Sequence, residues 1–207
     1  MRWLVNALVA IAVLGVLLYL SIPQISSGPP GQVVQTLNNE RQIFLATFSM
    51  ANDGLAKNDP KLGWPGDLAV ASAEPITSLA QFVRRLEDYD YLKPSDVGKI
   101  FAAPGIRAYT GVGEFTAENS AFKIYKVRES DLPAVIFSAT KNFSFGQGLD
   151  PKAVPYGDKT FAIIRKGGDA TPYYNKQSAL KRELGLMPGH TSKNNPGTET
   201  TDSILSM

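Results

Sequence analysis

Residues 3–22 read WLVNALVAIAVLGVLLYLSI, and this apolar run decides how the rest of the chain is interpreted. Its only strongly polar side chains are those of Asn6 and Ser21. At a rise of about 1.5 Å per residue, a helix of this length extends about 30 Å, which matches the hydrocarbon core of a bilayer. The sequence therefore predicts a single membrane-spanning helix within residues 1–23.

The charges that flank this run predict its orientation. Arg2 precedes the run, and the next charged residue is Glu40. Because positive flanks stay in the cytoplasm, we expect a cytoplasmic N-terminus and a domain on the outer side of the membrane. The alternative is a cleaved signal peptide, whose apolar region normally runs about 7–15 residues and ends in small residues. The length of the run favours an uncleaved anchor.

Composition excludes several classes of function. The 207 residues include 21 basic and 19 acidic side chains, so no strongly basic surface for nucleic acid is predicted. Cysteine is absent, which excludes thiol catalysis, zinc–thiolate sites and disulfides. With His190 as its one histidine, the chain cannot form a multi-histidine metal site.

A long helix is predicted after a linker at residues 24–31, which contains the helix-breaking sequence SSGPPG. Residues 32–56 carry apolar side chains at helical spacing, with Glu40 mostly off this face. The apolar face consists of Val33, Leu37, Phe44, Phe48 and Leu55. We therefore expect Phe44 and Phe48 to be core residues. Shorter helices are predicted over residues 78–88 and 94–101.

The second half of the chain changes to extended patterning. The β-rich stretches are residues 121–127, 134–143 and 159–165. Because short polar links join them, we expect an antiparallel meander with one face available to the long helix. The predicted fold class is α+β, an N-terminal transmembrane helix and a long helix packed on a small antiparallel sheet. Residues 32–190 are expected to fold without the anchor, and the polar residues 191–207 to be disordered.

Three short motifs and the N-terminal register carry a family resemblance. The motifs are TLNNERQIFLA at residues 36–46, GWPGD at residues 63–67 and FAIIRKGGD at residues 161–169. With Arg2 aligned to the first mature position of a pilin, Asn6 occupies the position of the family's glutamate and Pro23 that of its proline. This combination resembles type IV pilin-like proteins and type II secretion pseudopilins.

The resemblance implies a structural role. A protein of this kind would be a single-pass protein of the bacterial inner membrane, with a pilin-like domain in the periplasm. It would serve as a subunit of a secretion or pilus-type envelope assembly. Its partners would be the lipid bilayer and other pilin-like subunits or secretion-system components, with no cofactor, no small-molecule substrate and no enzymatic activity. The alternative is a membrane-tethered periplasmic interaction domain with this fold that does not polymerise.

The N-terminus departs from the family pattern at three points. The aromatic residue, Trp3, is one place late, and Asn6 replaces the glutamate. Only Met1 precedes Arg2, where a family leader would end in glycine, so we expect no cleavage by prepilin peptidase. Asn6 and Pro23 remain the residues assigned to assembly of the membrane helix. Asn6 would either form an interhelical hydrogen bond worth about 0.6–2 kcal/mol or lie hydrated near the cytoplasmic interface.

Two further patterns indicate chemistry only weakly. Some pseudopilins bind calcium in a loop of the C-terminal sheet, and the oxygen ligands in that region of this chain are Asp150, Asp158 and Asp169. Their spacing is not that of an EF-hand, and a calcium ion there stays an open alternative. Ser138 and Lys141 are the residue types of a serine–lysine hydrolase, yet on a strand they point to opposite faces.

Overall fold

The structure, a computed structural model, describes residues 29–70, 74–174, 184–192 and 196–206. The chain divides at Gly31, and the fold described below is that of the unit Gln32–Met207. This fold is α+β, with a long helix and a small antiparallel sheet. The predicted anchor, residues 1–23, lies outside the described residues. Among those that are described, no helix is both long and apolar enough to cross a membrane.

Helix α1, Pro29–Lys57, confirms the long helix predicted at residues 32–56. It begins inside the predicted linker because proline is tolerated in the first helical turn, where the N–H that it lacks would have no partner within the helix. The helix ends in a left-handed cap, with a φ of 50° at Asn58. The N–H of Asp59 donates to the carbonyl of Gly54 at 3.0 Å and satisfies one of the carbonyls that a helix end leaves free.

Three shorter helices follow α1. They are α2 (Pro65–Val70), α3 (Leu79–Asp88) and α4 (Pro94–Ile100). The helices predicted over residues 78–88 and 94–101 are confirmed as α3 and α4. Ser78 begins α3 with a capping box, because its hydroxyl accepts the N–H of Gln81 and the Gln81 side chain accepts the N–H of Ser78.

The strands form one four-stranded sheet and one hairpin. Their bounds are β1 (Phe122–Ile124), β2 (Ile136–Thr140), β3 (Phe143–Ser144), β4 (Gly148–Leu149), β5 (Phe161–Arg165) and β6 (Ala170–Tyr173). The sheet has the order β1-β2-β5-β6 with every pair antiparallel, while β3 and β4 pair separately. The predicted strands correspond to β1, β2 and β5, so the predicted antiparallel arrangement is confirmed. The stretch predicted at residues 134–143 divides into β2 and β3.

A register shift in β2 brings two consecutive side chains to α1. The pairing of β2 with β5 shifts between Ile136 and Ser138. Such a bulge interrupts the alternation of side chains between the two faces of a sheet. Phe137 packs edge-on against Phe44 of α1 with ring centroids 5.7 Å apart, and Ser138 donates a hydrogen bond to Glu40 of the same helix. The shift therefore builds the contact between α1 and the sheet.

Trp64 completes the centre of this contact. Its side chain is almost fully buried, with ring centroids 6.1 Å from Phe44 and 5.8 Å from Phe137. Aromatic pairs at these separations contribute about 0.5–1.5 kcal/mol each beyond the area that they bury. The three rings thus fix the position of α1 on β2.

The described end of the chain lies against the edge of β1. The N–H of Leu205 donates to the carbonyl of Ile124 at 2.9 Å, and the Leu205 side chain is buried. The sequence predicts disorder over residues 191–207, whereas the structure packs residues 196–206 onto the sheet. The composition of this segment is polar, but its few apolar and charged side chains find partners far away in sequence. The folded unit therefore includes this segment and does not end at residue 190.

Candidate interaction surface

The solvent side of α1 carries a row of exposed apolar side chains. Val34, Leu45, Phe48 and Leu55 are 48%, 59%, 43% and 61% exposed. At about 100° per residue these four positions fall within an arc of about 80° around the helix axis. We call these four residues the outer face of α1.

Phe48 was expected in the core, and the structure corrects this. Phe44 is buried as predicted, whereas Phe48 is exposed on one side and stacks on Phe44 with the other, at 5.9 Å between ring centroids. At about 100° per residue, Phe48 lies about 40° further round the helix than Phe44, at the edge of the buried arc. Leu55, eighteen residues after the buried Leu37, lies at nearly the same angle around the helix and is nevertheless 61% exposed, so helix rotation does not account for its exposure.

Polar residues interrupt the outer face without dividing it. Arg41 is exposed on the same side of the helix, and one of its Nη atoms donates to the amide oxygen of Asn38 at 3.4 Å. Interfaces are enriched in aromatic residues and arginine, and the energetically important positions are enriched in the same types. Phe48 and Arg41 on one face therefore have the composition of a contact surface.

The other large apolar side chains exposed in the described part of the chain do not form a comparable row. Each lies on a different element or loop, and they are Val70, Tyr89, Val112, Leu132, Val154 and Tyr174. Single exposed apolar residues are ordinary on protein surfaces, whereas a contiguous group marks a site of interaction. The outer face of α1 is therefore the strongest candidate for a functional surface.

The buried side of α1 contains a carboxyl group that the sequence analysis placed off the core face. Glu40 is fully buried, and one carboxyl oxygen accepts a hydrogen bond from Ser138 at 2.7 Å. Burial raises the pKa of Glu40 from 4.5 to about 8, although the Ser138 hydrogen bond opposes the shift. The sequence could have indicated that Glu40 is buried. Glu40 lies three residues after Leu37 and four before Phe44, so the three side chains share one side of the helix.

A second buried polar cluster joins the C-terminal segment to the sheet. The carboxylate of Glu199 accepts hydrogen bonds from Lys123 Nζ and from the Tyr125 hydroxyl, each at 2.6 Å. Burial, the negative charge of Glu199 and the hydrogen bond to Glu199 hold the pKa of Tyr125 well above its ordinary value, so the phenol is neutral. Sequence reasoning missed this cluster because Glu199 lies in a segment with no secondary-structure signal.

The residues predicted as sites are not brought together by the described structure. Asn6 and Pro23 lie outside the described residues. Asp150 accepts the N–H of Lys152, and Asp169 pairs with Arg165. The described ranges contain no group of three or more histidine or acidic side chains placed to hold a metal ion.

Ser138 and Lys141 point to different partners. The Ser138 hydroxyl donates to Glu40, while Lys141 Nζ donates to the carbonyl of Ala117 at 2.6 Å. No hydrogen bond links these two side chains in the part of the chain that the structure describes, and the hydroxyl is enclosed in the core. The pair therefore lacks the geometry in which a lysine activates a serine nucleophile.

Comparison with known proteins adds no assignment. No protein-family model matches the chain, and neither a curated protein nor a solved structure matches it.

Proposed function

We propose that this chain is a membrane-anchored, pilin-like structural subunit of a bacterial secretion or pilus-type envelope assembly. The observation that carries the proposal is the two-sided character of α1. One side packs on an antiparallel sheet through Phe44, and the other side presents the apolar outer face. The apolar run at residues 3–22 supplies the anchor, and the N-terminal register and motifs supply the family resemblance.

The outer face suits a contact that forms between tethered molecules. Complete burial of a leucine or phenylalanine side chain contributes about 1.5–3 kcal/mol, and these four side chains are already half buried. Association of free proteins costs roughly 4–15 kcal/mol in lost freedom, which such a face offsets only in part. Tethering to one membrane raises the effective concentration of partners, so a modest face becomes sufficient.

The proposal places the domain in the periplasm, with the N-terminus in the cytoplasm and one crossing of the inner membrane. Other pilin-like subunits or secretion-system components would bind the outer face. The second candidate is a tethered interaction domain that does not polymerise, and Asn6 favours it. An asparagine at that position cannot supply the carboxylate with which a pilin pairs its neighbour's amino terminus.

A cysteine introduced at Leu45 should cross-link neighbouring copies through the outer face. The chain has no cysteine of its own, so each introduced thiol reports on one position. Val112→Cys is the matched control, because Val112 is 83% exposed and lies on a loop outside α1. After mild oxidation of membranes that contain the full chain, we expect disulfide-linked species for Leu45→Cys and none for Val112→Cys.

The pattern of products separates the two candidates. A ladder of species above the dimer supports a polymerising subunit, whereas a dimer alone or a cross-link to one other protein supports the tethered domain. Cross-linking that is equal at both positions would contradict the proposed surface. Adding Leu45→Asp to a Val34→Cys reporter should reduce the cross-link roughly 30-fold, as for loss of a contact worth about 2 kcal/mol.

A further inference from the structure

Glu40 is a carboxyl group enclosed between α1 and β2 without a charged partner. Its side chain has no exposed surface, one oxygen accepts the Ser138 hydrogen bond, and the other, Oε2, has no hydrogen-bond partner among the described residues. None of the ion pairs of the described chain includes Glu40. A buried ionised group without a counter-charge is strongly destabilising, whereas the protonated form is tolerated.

The titratable groups near Glu40 do not compensate its charge. On the sheet side the interacting group is Tyr125, whose hydroxyl is already donated to Glu199. The cation of that cluster, Lys123, is paired with Glu199. On α1 itself the neighbouring Arg41 is exposed on the outer face and bonds to Asn38. The environment of Glu40 therefore favours its neutral form.

Glu40 also lies at the point that fixes α1 to the sheet. It is one helical turn before Phe44, and the two residues contact the consecutive residues Ser138 and Phe137 at the register shift of β2. A charge at this point acts directly on the packing of the helix. The same stretch of helix carries Leu45 of the outer face, so a change in its docking changes the presentation of that face.

We propose that Glu40 is a proton-dependent latch, which holds α1 on β2 when it is protonated and loosens this part of the helix when it ionises. The effect on helix docking follows from the burial of Glu40 and its contact with Ser138. The consequence, that acid favours the assembled state and alkali opposes it, rests on the proposed function. Through this latch, the pH on the outer side of the membrane controls how α1 presents its outer face to partners.

The direction of the pH dependence follows from the two states of the carboxyl group. When the helix is released the group is hydrated and has its ordinary pKa of 4.5, and when the helix is docked the pKa is about 8. Docking is therefore most stable below about pH 4.5, weakens as the pH rises toward 8, and changes little above that. The equilibrium constant for opening should rise up to about a thousandfold between pH 5 and pH 9.

Hydrogen exchange of the full chain in lipid nanodiscs tests the latch. After correction for the intrinsic rate, we expect exchange of residues 32–50 to become faster between pH 5 and pH 9, with much less change in β5. Glu40→Gln should abolish the increase and keep the helix protected at pH 9. The control Glu114→Gln removes an exposed carboxyl group and should leave the increase unchanged. A flat wild-type profile, or an increase that persists in Glu40→Gln, overturns the proposal, as does an equal increase in β5.

A second variant keeps the test decisive if Glu40→Gln fails to fold. Ser138→Ala removes the hydroxyl that stabilises the ionised carboxylate, so opening at pH 9 should exceed that of the wild type, with little difference at pH 5. An unchanged pH profile in this variant counts against the latch. The cross-link of Leu45→Cys at pH 5 and pH 9, each relative to that of the double variant Leu45→Cys with Glu40→Gln at the same pH, then tests the link to assembly, because thiol oxidation is itself faster in alkali. If hydrogen exchange depends on pH and the cross-link does not, the latch is retained and its role in assembly is contradicted.

Discussion

Replacing Phe44 with alanine is expected to lower the free energy of unfolding by about 3–5 kcal/mol. The ring is buried, and its centroid lies 5.7 Å from that of Phe137 and 6.1 Å from that of Trp64. Truncation would leave a cavity at the centre of the contact between α1 and the sheet. A domain typically has only about 5–15 kcal/mol of stability, so the loss should be clear in denaturant unfolding of a fragment covering residues 32–207.

Phe48→Ala is the matched control for this prediction. The Phe48 ring is 43% exposed and keeps aromatic neighbours on one side only, at 5.9 Å from Phe44 and 6.3 Å from Trp64. Its truncation should cost about 1–2 kcal/mol, because two aromatic pairs at the surface are lost and no enclosed cavity forms. In the full chain the same variant should weaken the Leu45→Cys cross-link. Equal destabilisation by the two variants would show that Phe48 belongs to the core and that the outer face is smaller than described.

The local parts of the fold could be predicted from the sequence because short-range chemistry specifies them. Ser78 and Gln81 form the capping box that starts α3, and Pro94 marks the start of α4. Apolar and β-branched runs indicate β1, β2 and β5. Each of these signals acts over a few residues, so no knowledge of the tertiary arrangement is needed.

Features that depend on partners distant in sequence could not be predicted in this way. Glu40 is separated from Ser138 by 98 residues, and its burial depends on where the sheet meets the helix. The exposure of Phe48 depends on where the edge of the buried arc of α1 falls, within about 40° of Phe44, and the helix sequence alone does not give this edge. The candidate surface is thus visible only once the helix has been docked on the sheet.

The C-terminal segment provides the second large expected effect. Removing residues 191–207 from the fragment that begins at Gln32 should destabilise it by more than about 3 kcal/mol, because truncation exposes the edge of β1 and leaves the buried Lys123 without its counter-charge. Burial of Leu205 contributes about 1.5–3 kcal/mol of this stabilisation. Equal unfolding midpoints for the fragments ending at 190 and 207 would show that the segment does not stay on the sheet in solution.

Glu199→Ala isolates the polar part of this effect. Glu199 and Lys123 have side chains only 10% and 13% exposed, and removing one partner of a buried ion pair typically costs about 3–5 kcal/mol. Lys123 Nζ keeps two acceptors, the carbonyl of Phe143 and the hydroxyl of Ser144, each at 2.8 Å, so we expect the lower end of this range.

Asp88→Asn removes the exposed pair with Arg84 and should leave the unfolding midpoint unchanged. The double variant Lys123→Met with Glu199→Leu should regain only part of the loss, since no unpaired charge then remains buried but the Tyr125 hydroxyl still lacks its acceptor. If Glu199→Ala unfolds with the same midpoint as Asp88→Asn, the ion pair is not buried in solution, and the segment is attached by Leu205 and the edge hydrogen bonds alone.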